Sequence, residues 1–156
     1  MSSELTSLLS SIADTLMFSG FDVSDINWSN MDGDNALHYV VMSGKITDAK
    51  LLIDNGIEID KRGEHGYTPL HLACSVGRQD MVALLVEHEA DAHALSQGDA
   101  PFAVARMAGH DSICEFLRPY MEGIQSQDPD VWTRKRIEHL QDEIRRLEAS
   151  CSNSHG

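Results

Sequence analysis

The sequence predicts an all-α solenoid of stacked helix-turn-helix units with projecting hairpin loops, followed by a separate C-terminal amphipathic helix. A recurring block carries that prediction. Gly33-Asp34-Asn35-Ala36-Leu37-His38 aligns with Gly66-Tyr67-Thr68-Pro69-Leu70-His71 at an offset of 33, and Gly44 with Gly77 and Leu51-Leu52 with Leu84-Leu85 keep that offset. A third copy opens at Gly98-Asp99-Ala100-Pro101-Phe102-Ala103, and Pro69 to Pro101, Ala73 to Ala105, Gly77 to Gly109 and Leu85 to Leu117 are all 32 apart. A period of this length marks supersecondary units that cannot bury an apolar face alone and must stack.

Each element follows from its residues. Residues 1–24 form an N-terminal capping helix or half-repeat: Leu5, Leu8, Leu9, Ile12, Leu16 and Met17 make a helical stripe within 3–19, stopped by Gly20. Asp25-Ile26-Asn27-Trp28 aligns with Glu58-Ile59-Asp60-Lys61 as the first hairpin arm. In the best copy Thr68 caps a helix that Pro69 opens at its first position. Leu70, Ala73 and Cys74 then share one face, small enough for a neighbour to approach closely. Gly77 permits the turn into a second helix striped by Met81, Leu84 and Leu85. Arg118-Pro119 is expected to end the last helix of the stack, because proline removes a helical hydrogen bond. The units run at about 33–65, 66–97 and 98–121 within a repeat region of 25–121.

The segment Gly66-Tyr67-Thr68-Pro69-Leu70-His71-Leu72-Ala73-Cys74-Ser75-Val76-Gly77, with Met81-Val82-Ala83-Leu84-Leu85-Val86 after it, resembles the ankyrin repeat family. The first copy has Asn35-Ala36 where the family prefers Thr-Pro. The third has Ala103 in place of the histidine and Arg106 where a small residue is usual. The resemblance implies hairpins projecting at right angles to the helices, and a structural histidine at His38 and His71 that bonds backbone near the hairpin. It also implies a concave surface of inner helices and fingertips that binds other proteins. The positions that vary on that surface map to Met31, Asp32, Asp34 and Met42 in unit one. In unit two they are Glu64, His65, Tyr67, Ser75 and Val76, and in unit three Ser96, Gln97, Asp99 and Met107. Tyr67 and the methionines fit contact positions better than positions kept for solubility.

The net charge of −13 is unevenly spread: −4 over residues 1–31, −3 in each of 32–64, 65–97 and 98–129, and zero over 130–156. An acidic body argues against nucleic-acid binding, which needs a basic footprint, and favours a basic protein partner. No run of apolar residues is long enough to span a membrane, and no basic-then-apolar leader opens the chain. Three cysteines without scaffold spacing fit a reducing intracellular compartment, cytoplasm or nucleus, with Cys74 and Cys114 buried and Cys151 in a polar tail.

A polar linker at 122–128 leads to a helix expected over 129–149, opened by Asp128-Pro129-Asp130, with a tail at 150–156. Ile137, Leu140, Ile144 and Leu147 are spaced as a heptad seam, a coiled-coil pattern two heptads long. In a parallel homodimer Glu143 would oppose Glu148, whereas an antiparallel pairing sets Arg134 against Glu148. Three arrangements follow: packing back on the last repeat with the apolar edge hidden, pairing with another helix in self or partner, or a free appendage.

Catalytic patterns are not expected. Gly44-Lys45-Ile46-Thr47 is a scrap of a phosphate loop better read as the inter-helix turn. His88 and His93 straddle a helix end and form no metal pair, and Cys114 near His110 occupies an inward position. No cofactor or metal is expected. The sequence therefore points to a non-catalytic protein-interaction module. Two alternatives remain: an acidic inhibitor or immunity-type protein blocking a basic enzyme site, and an assembly subunit oligomerising through its C-terminal helix.

Overall fold

The computed structural model describes residues 2–15, 20–127, 137–138, 140–142 and 144–150, with the backbone alone for 122–127. Helix α1 spans Ser3–Ala13, and the Ser2 side chain caps it by accepting from the Leu5 N–H. It buries Leu5, Leu9 and Ile12 against the first unit. The helix ends at Ala13, before the expected stop at Gly20; Leu16 and Met17 lie outside the described residues.

Three pairs follow: α2 (Ala36–Ser43) with α3 (Ile46–Asp54), α4 (Pro69–Val76) with α5 (Gln79–Glu87), and α6 (Pro101–Met107) with α7 (Asp111–Gln127). The first helices stack as one layer in the order α2, α4, α6, and the second helices stack behind them as α3, α5, α7. Alanines 36, 49, 73 and 105 are fully buried where these layers meet, so backbones approach closely. Leu37, Leu52, Leu70, Met81, Leu85, Ile113 and Leu117 fill the space between layers. Gly44 and Gly77 end α2 and α4 in the left-handed conformation, as the turn requires.

The hairpins are tight turns closed by backbone hydrogen bonds: Asn30 with Asp34 in the first, Gly63 with Tyr67 in the second and Ser96 with Asp99 in the third. Helix α7 also departs from the sequence expectation. It runs through Pro119 to Gln127, where Arg118-Pro119 was expected to end it and 122–128 to be a linker. Proline gives up one hydrogen bond, and Pro119 is exposed, so water can satisfy the freed carbonyl. Residues 128–136, which hold the expected helix start and Arg134, lie outside the described set, as do Glu143 and 151–156 with Cys151.

The units are tied together by polar groups that recur at the repeat offset. The Asn35 and Thr68 side chains cap α2 and α4, and in each helix a histidine three residues later accepts from the cap's own N–H through Nδ1. That leaves Nε2 protonated. His38 donates it to the Tyr67 carbonyl at 2.9 Å, and His71 to the Asp99 carbonyl at 3.0 Å, each in the following hairpin. Two further series run alongside. Asn27 Oδ1 accepts from the Glu58 N–H and Asp60 Oδ1 from the Asp91 N–H. Arg78 Nη2 reaches the Met42 carbonyl and His110 Nε2 the Ser75 carbonyl, at the ends of the preceding inner helices. A Cβ at Gly44 would meet the Arg78 guanidinium, and one at Gly77 the His110 ring. Ala103 replaces the third histidine where no following hairpin exists among the described residues, and Arg106 is exposed at that same end of the stack.

Burial lowers the His71 pKa to about 4 and lowers that of His38 as well. Between an ordinary value near 6.5 and about 4, the unfolded chain binds a proton that folded His71 refuses. Stability is therefore fully present above pH 6.5 and falls as pH drops through this window, at up to about 1.4 kcal/mol per pH unit for His71. His71→Leu keeps an apolar body but strands the Thr68 N–H and the Asp99 carbonyl. It is expected to lower unfolding stability by about 2–4 kcal/mol in urea at pH 7.5. The same variant should show a shallower loss of stability than the wild type between pH 6.5 and 4.5. Parallel pH curves for the two proteins would contradict the neutral-histidine assignment.

Candidate protein-binding surface

The inner helices leave apolar side chains in solvent at one end. Met42 in the last turn of α2 is 49% exposed, Val76 at the end of α4 is 44% exposed and Met107 at the end of α6 is 64% exposed. The rest of these helices' apolar residues are buried or partly buried in the stack, so this row is a surface feature of the inner layer. Met31 stands fully exposed on the first hairpin. Beside the row, the hairpins carry Asp32, Glu64, His65 and Gln97, all exposed. His65 and Gln97 hold φ of 59° and 52°, a left-handed conformation uncommon for side-chain-bearing residues and imposed by the tight turn.

Tyr67 is half-buried at the base of the second hairpin. One ring contact is a stack on His71, with centroids 5.4 Å apart and planes 21° from parallel, and His65 meets it edge-on at 6.4 Å. Asp34, His38, Met42, Glu64, His65, Tyr67 and Leu72 line a cavity of about 140 Å³ between the first and second units. Its walls are mostly apolar, and the Glu64 carboxylate stands at its edge, 3.5 Å from His65 Nε2.

Sequence reasoning placed Met31, Asp32, Met42, Glu64, His65, Val76, Gln97 and Met107 on this face, and all of them are solvent-exposed. Tyr67, Ser75 and Asp99 are half-buried. Two expected surface residues are inside instead. Asp34 is 7% exposed, because its Oδ1 accepts from the Glu64 N–H at 3.0 Å and anchors the second hairpin. Ser96 is 4% exposed, because its Oγ donates to the His65 carbonyl at 2.6 Å. Both join neighbouring hairpins and are unavailable to a partner. The sequence reading also passed over the Asn27/Asp60 and Arg78/His110 pairs; their recurrence at the repeat offset was the signal that could have found them.

Residues 137–138, 140–142 and 144–150 are helical. Glu138, Asp142, Arg145 and Arg146 share a cleft of about 580 Å³ with Asp60, Arg62 and Asp91 of the repeats. The helix thus faces the stack with its charged side, while Ile137, Leu140, Ile144 and Leu147 are all exposed. The structure therefore does not show the apolar edge hidden against the last repeat, and the groups facing one another across the cleft are mostly charged.

Burial raises the Cys74 thiol to about 12, with Cys114 adding to the effect, so Cys74 is held protonated and unreactive. Gly44-Lys45 forms the α2–α3 turn. Among the described residues no group of three or more His, Cys, Asp or Glu side chains is placed to hold a metal ion. Nor is any described helix long and apolar enough to cross a membrane.

Comparison with known proteins agrees with this architecture. Residues 6–96 and 64–131 match a family model described as ankyrin repeats (3 copies). Human protein phosphatase 1 regulatory subunit 27 is 45% identical over 67 residues, which is 42% of this chain and 44% of that protein. Human ankyrin repeat domain-containing protein 63 is 41% identical over 69 residues, 44% of this chain and 18% of that protein. The rice potassium channel AKT1 is 38% identical over 66 residues, 42% of this chain and 7% of that protein. The matched part is thus under half the length of these curated relatives, and what they share with it is the repeat. With three units in register, a buried histidine tying each of the first two to the next hairpin, and a family match over most of its length, the chain belongs to the ankyrin repeat family.

Proposed function

We propose that this chain is a non-catalytic binding module that recognises a protein partner through the exposed ends of its inner helices and its hairpin tips. Ankyrin repeats mediate protein–protein interaction, and one relative is by name a phosphatase regulatory subunit. The observation that carries the reading is the row Met42, Val76 and Met107, exposed on inner helices whose other apolar residues are buried or partly buried. Such a row stabilises a complex when a partner removes it from water, at about 25 cal/mol per Å² buried. Acidic residues beside it, with a net charge of −13, favour a basic partner. An inhibitor of a basic enzyme site is the narrower form of the same reading. We place the protein inside the cell, in cytoplasm or nucleus.

A second reading has its own support. The residues Ile137, Leu140, Ile144 and Leu147 form a short apolar stripe that is exposed among the described residues, and we read it as suited to association with another helix or a second copy.

Affinity capture from the source lysate separates the two. Met42→Ala/Tyr67→Ala is expected to lose a near-stoichiometric partner, while truncation after Gln127 retains it. Loss on truncation alone would transfer the function to the C-terminal helix. Retention by both variants would contradict both readings. The captured complex should also weaken at least several-fold between about 50 and 300 mM salt, and salt-independent affinity would remove the basic-partner element.

A further inference from the structure

We propose that the cavity between the first and second units receives an arginine side chain of the partner. The proposal rests on the inner-face reading above and names the chemistry that this face selects.

The first argument is that the cavity breaks the repeat. Met42, Tyr67 and Leu72 correspond to Ser75, Asp99 and Val104 one unit later, and Glu64 falls in the second hairpin where the third is one residue shorter. The histidine bonds, the cap bonds and the hairpin ties occur at both interfaces. Stacking therefore does not require a methionine, a glutamate and a tyrosine at the first interface. Their presence there, around about 140 Å³ of empty space, is a local departure from what the fold demands.

The second argument is chemical. Met42, Tyr67 and Leu72 supply apolar walls, and Glu64 supplies one exposed carboxylate at the edge. Asp34 anchors the Glu64 backbone at the rim of the cavity by accepting from its N–H at 3.0 Å. The matching side chain is a long apolar stem ending in a cation. A leucine or methionine would fill the space but cover the Glu64 carboxylate without a counter-charge, which is costly. Arginine fits better than lysine for two reasons. Its planar fork can give two parallel hydrogen bonds to a carboxylate, and it is weakly hydrated and pairs well with an aromatic ring such as Tyr67. The contact that Glu64 makes with His65 joins two exposed side chains, so an incoming guanidinium can displace it at little cost. The volume suits one side chain, so it serves as an anchor point within a larger contact.

The test uses the full chain, ¹⁵N-labelled, titrated with N-acetyl-arginine methylamide and, separately, with the lysine and norleucine analogues. Saturable shifts of the Met42 and Glu64–Tyr67 amides are expected with arginine, several-fold weaker binding with lysine and weaker still with norleucine. Glu64→Gln, a substitution at an exposed position, should weaken the arginine probe about tenfold. Equal response to norleucine, equal shifts at Gln97 and Asp99, or unsaturable shifts spread over all acidic residues would each overturn the proposal.

Partner capture keeps the two levels apart. Capture weakened by Glu64→Gln and by Met107→Glu supports both. Loss with Met107→Glu but not with Glu64→Gln overturns the arginine site and leaves the inner-face reading intact. Loss with neither overturns both.

Discussion

Everything in the repeat stack depends on a backbone carbonyl at the base of each following hairpin finding a buried donor. Tyr67 and Asp99 present those carbonyls, and the neutral rings of His38 and His71 supply the donors. The geometry requires one tautomer. Nδ1 must accept from the helix cap so that Nε2 can donate to the next unit, and a second proton would set two donors against each other at the cap. Burial enforces this by making the charged ring costly, and the depressed pKa values are the measurable consequence. The cap, the helix start and the inter-unit contact are thus one hydrogen-bonded unit, and losing the ring breaks all three.

That constraint also decides which residues are free. Asp34 and Ser96 are spent on tying one hairpin to another, so they are structural although they sit at positions that vary within the family. Met31, Asp32, Met42, Glu64, His65, Val76, Gln97 and Met107 have no such duty large enough to bury them, and they remain in solvent on rigid supports. A surface held in place before binding loses little entropy when a partner arrives. The half-buried Tyr67 stands between these groups: its carbonyl belongs to the relay and its ring lines the cavity.

The helices, their caps and the inward leucines were legible in the sequence because glycine, proline and leucine recur at fixed offsets, and each has a local physical role. The histidine bond was legible through family resemblance. The C-terminal limits of α1 and α7 were not. Gly20 and Pro119 are strong local signals, but Asp14 already terminates α1, and solvent access lets α7 pass through its proline. Surface positions were read from alignment alone, and alignment carries no information about whether a side chain such as Asp34 turns inward to a neighbouring backbone. The spacing of Ile137, Leu140, Ile144 and Leu147 suggests a stripe, and all four are exposed. That the repeats would meet its charged side needed the positions of Asp60, Arg62 and Asp91, which only the fold brings together.

Amide hydrogen exchange on His38→Leu tests the relay most directly. The account predicts faster exchange at Gly63, Gly66 and Tyr67, whose N–H groups close the second hairpin, with the Ser96–Asp99 hairpin unchanged because His71 still holds it. Unchanged protection at the second hairpin, or equal loss at both, would contradict a bond-by-bond relay from each histidine to the hairpin that follows it.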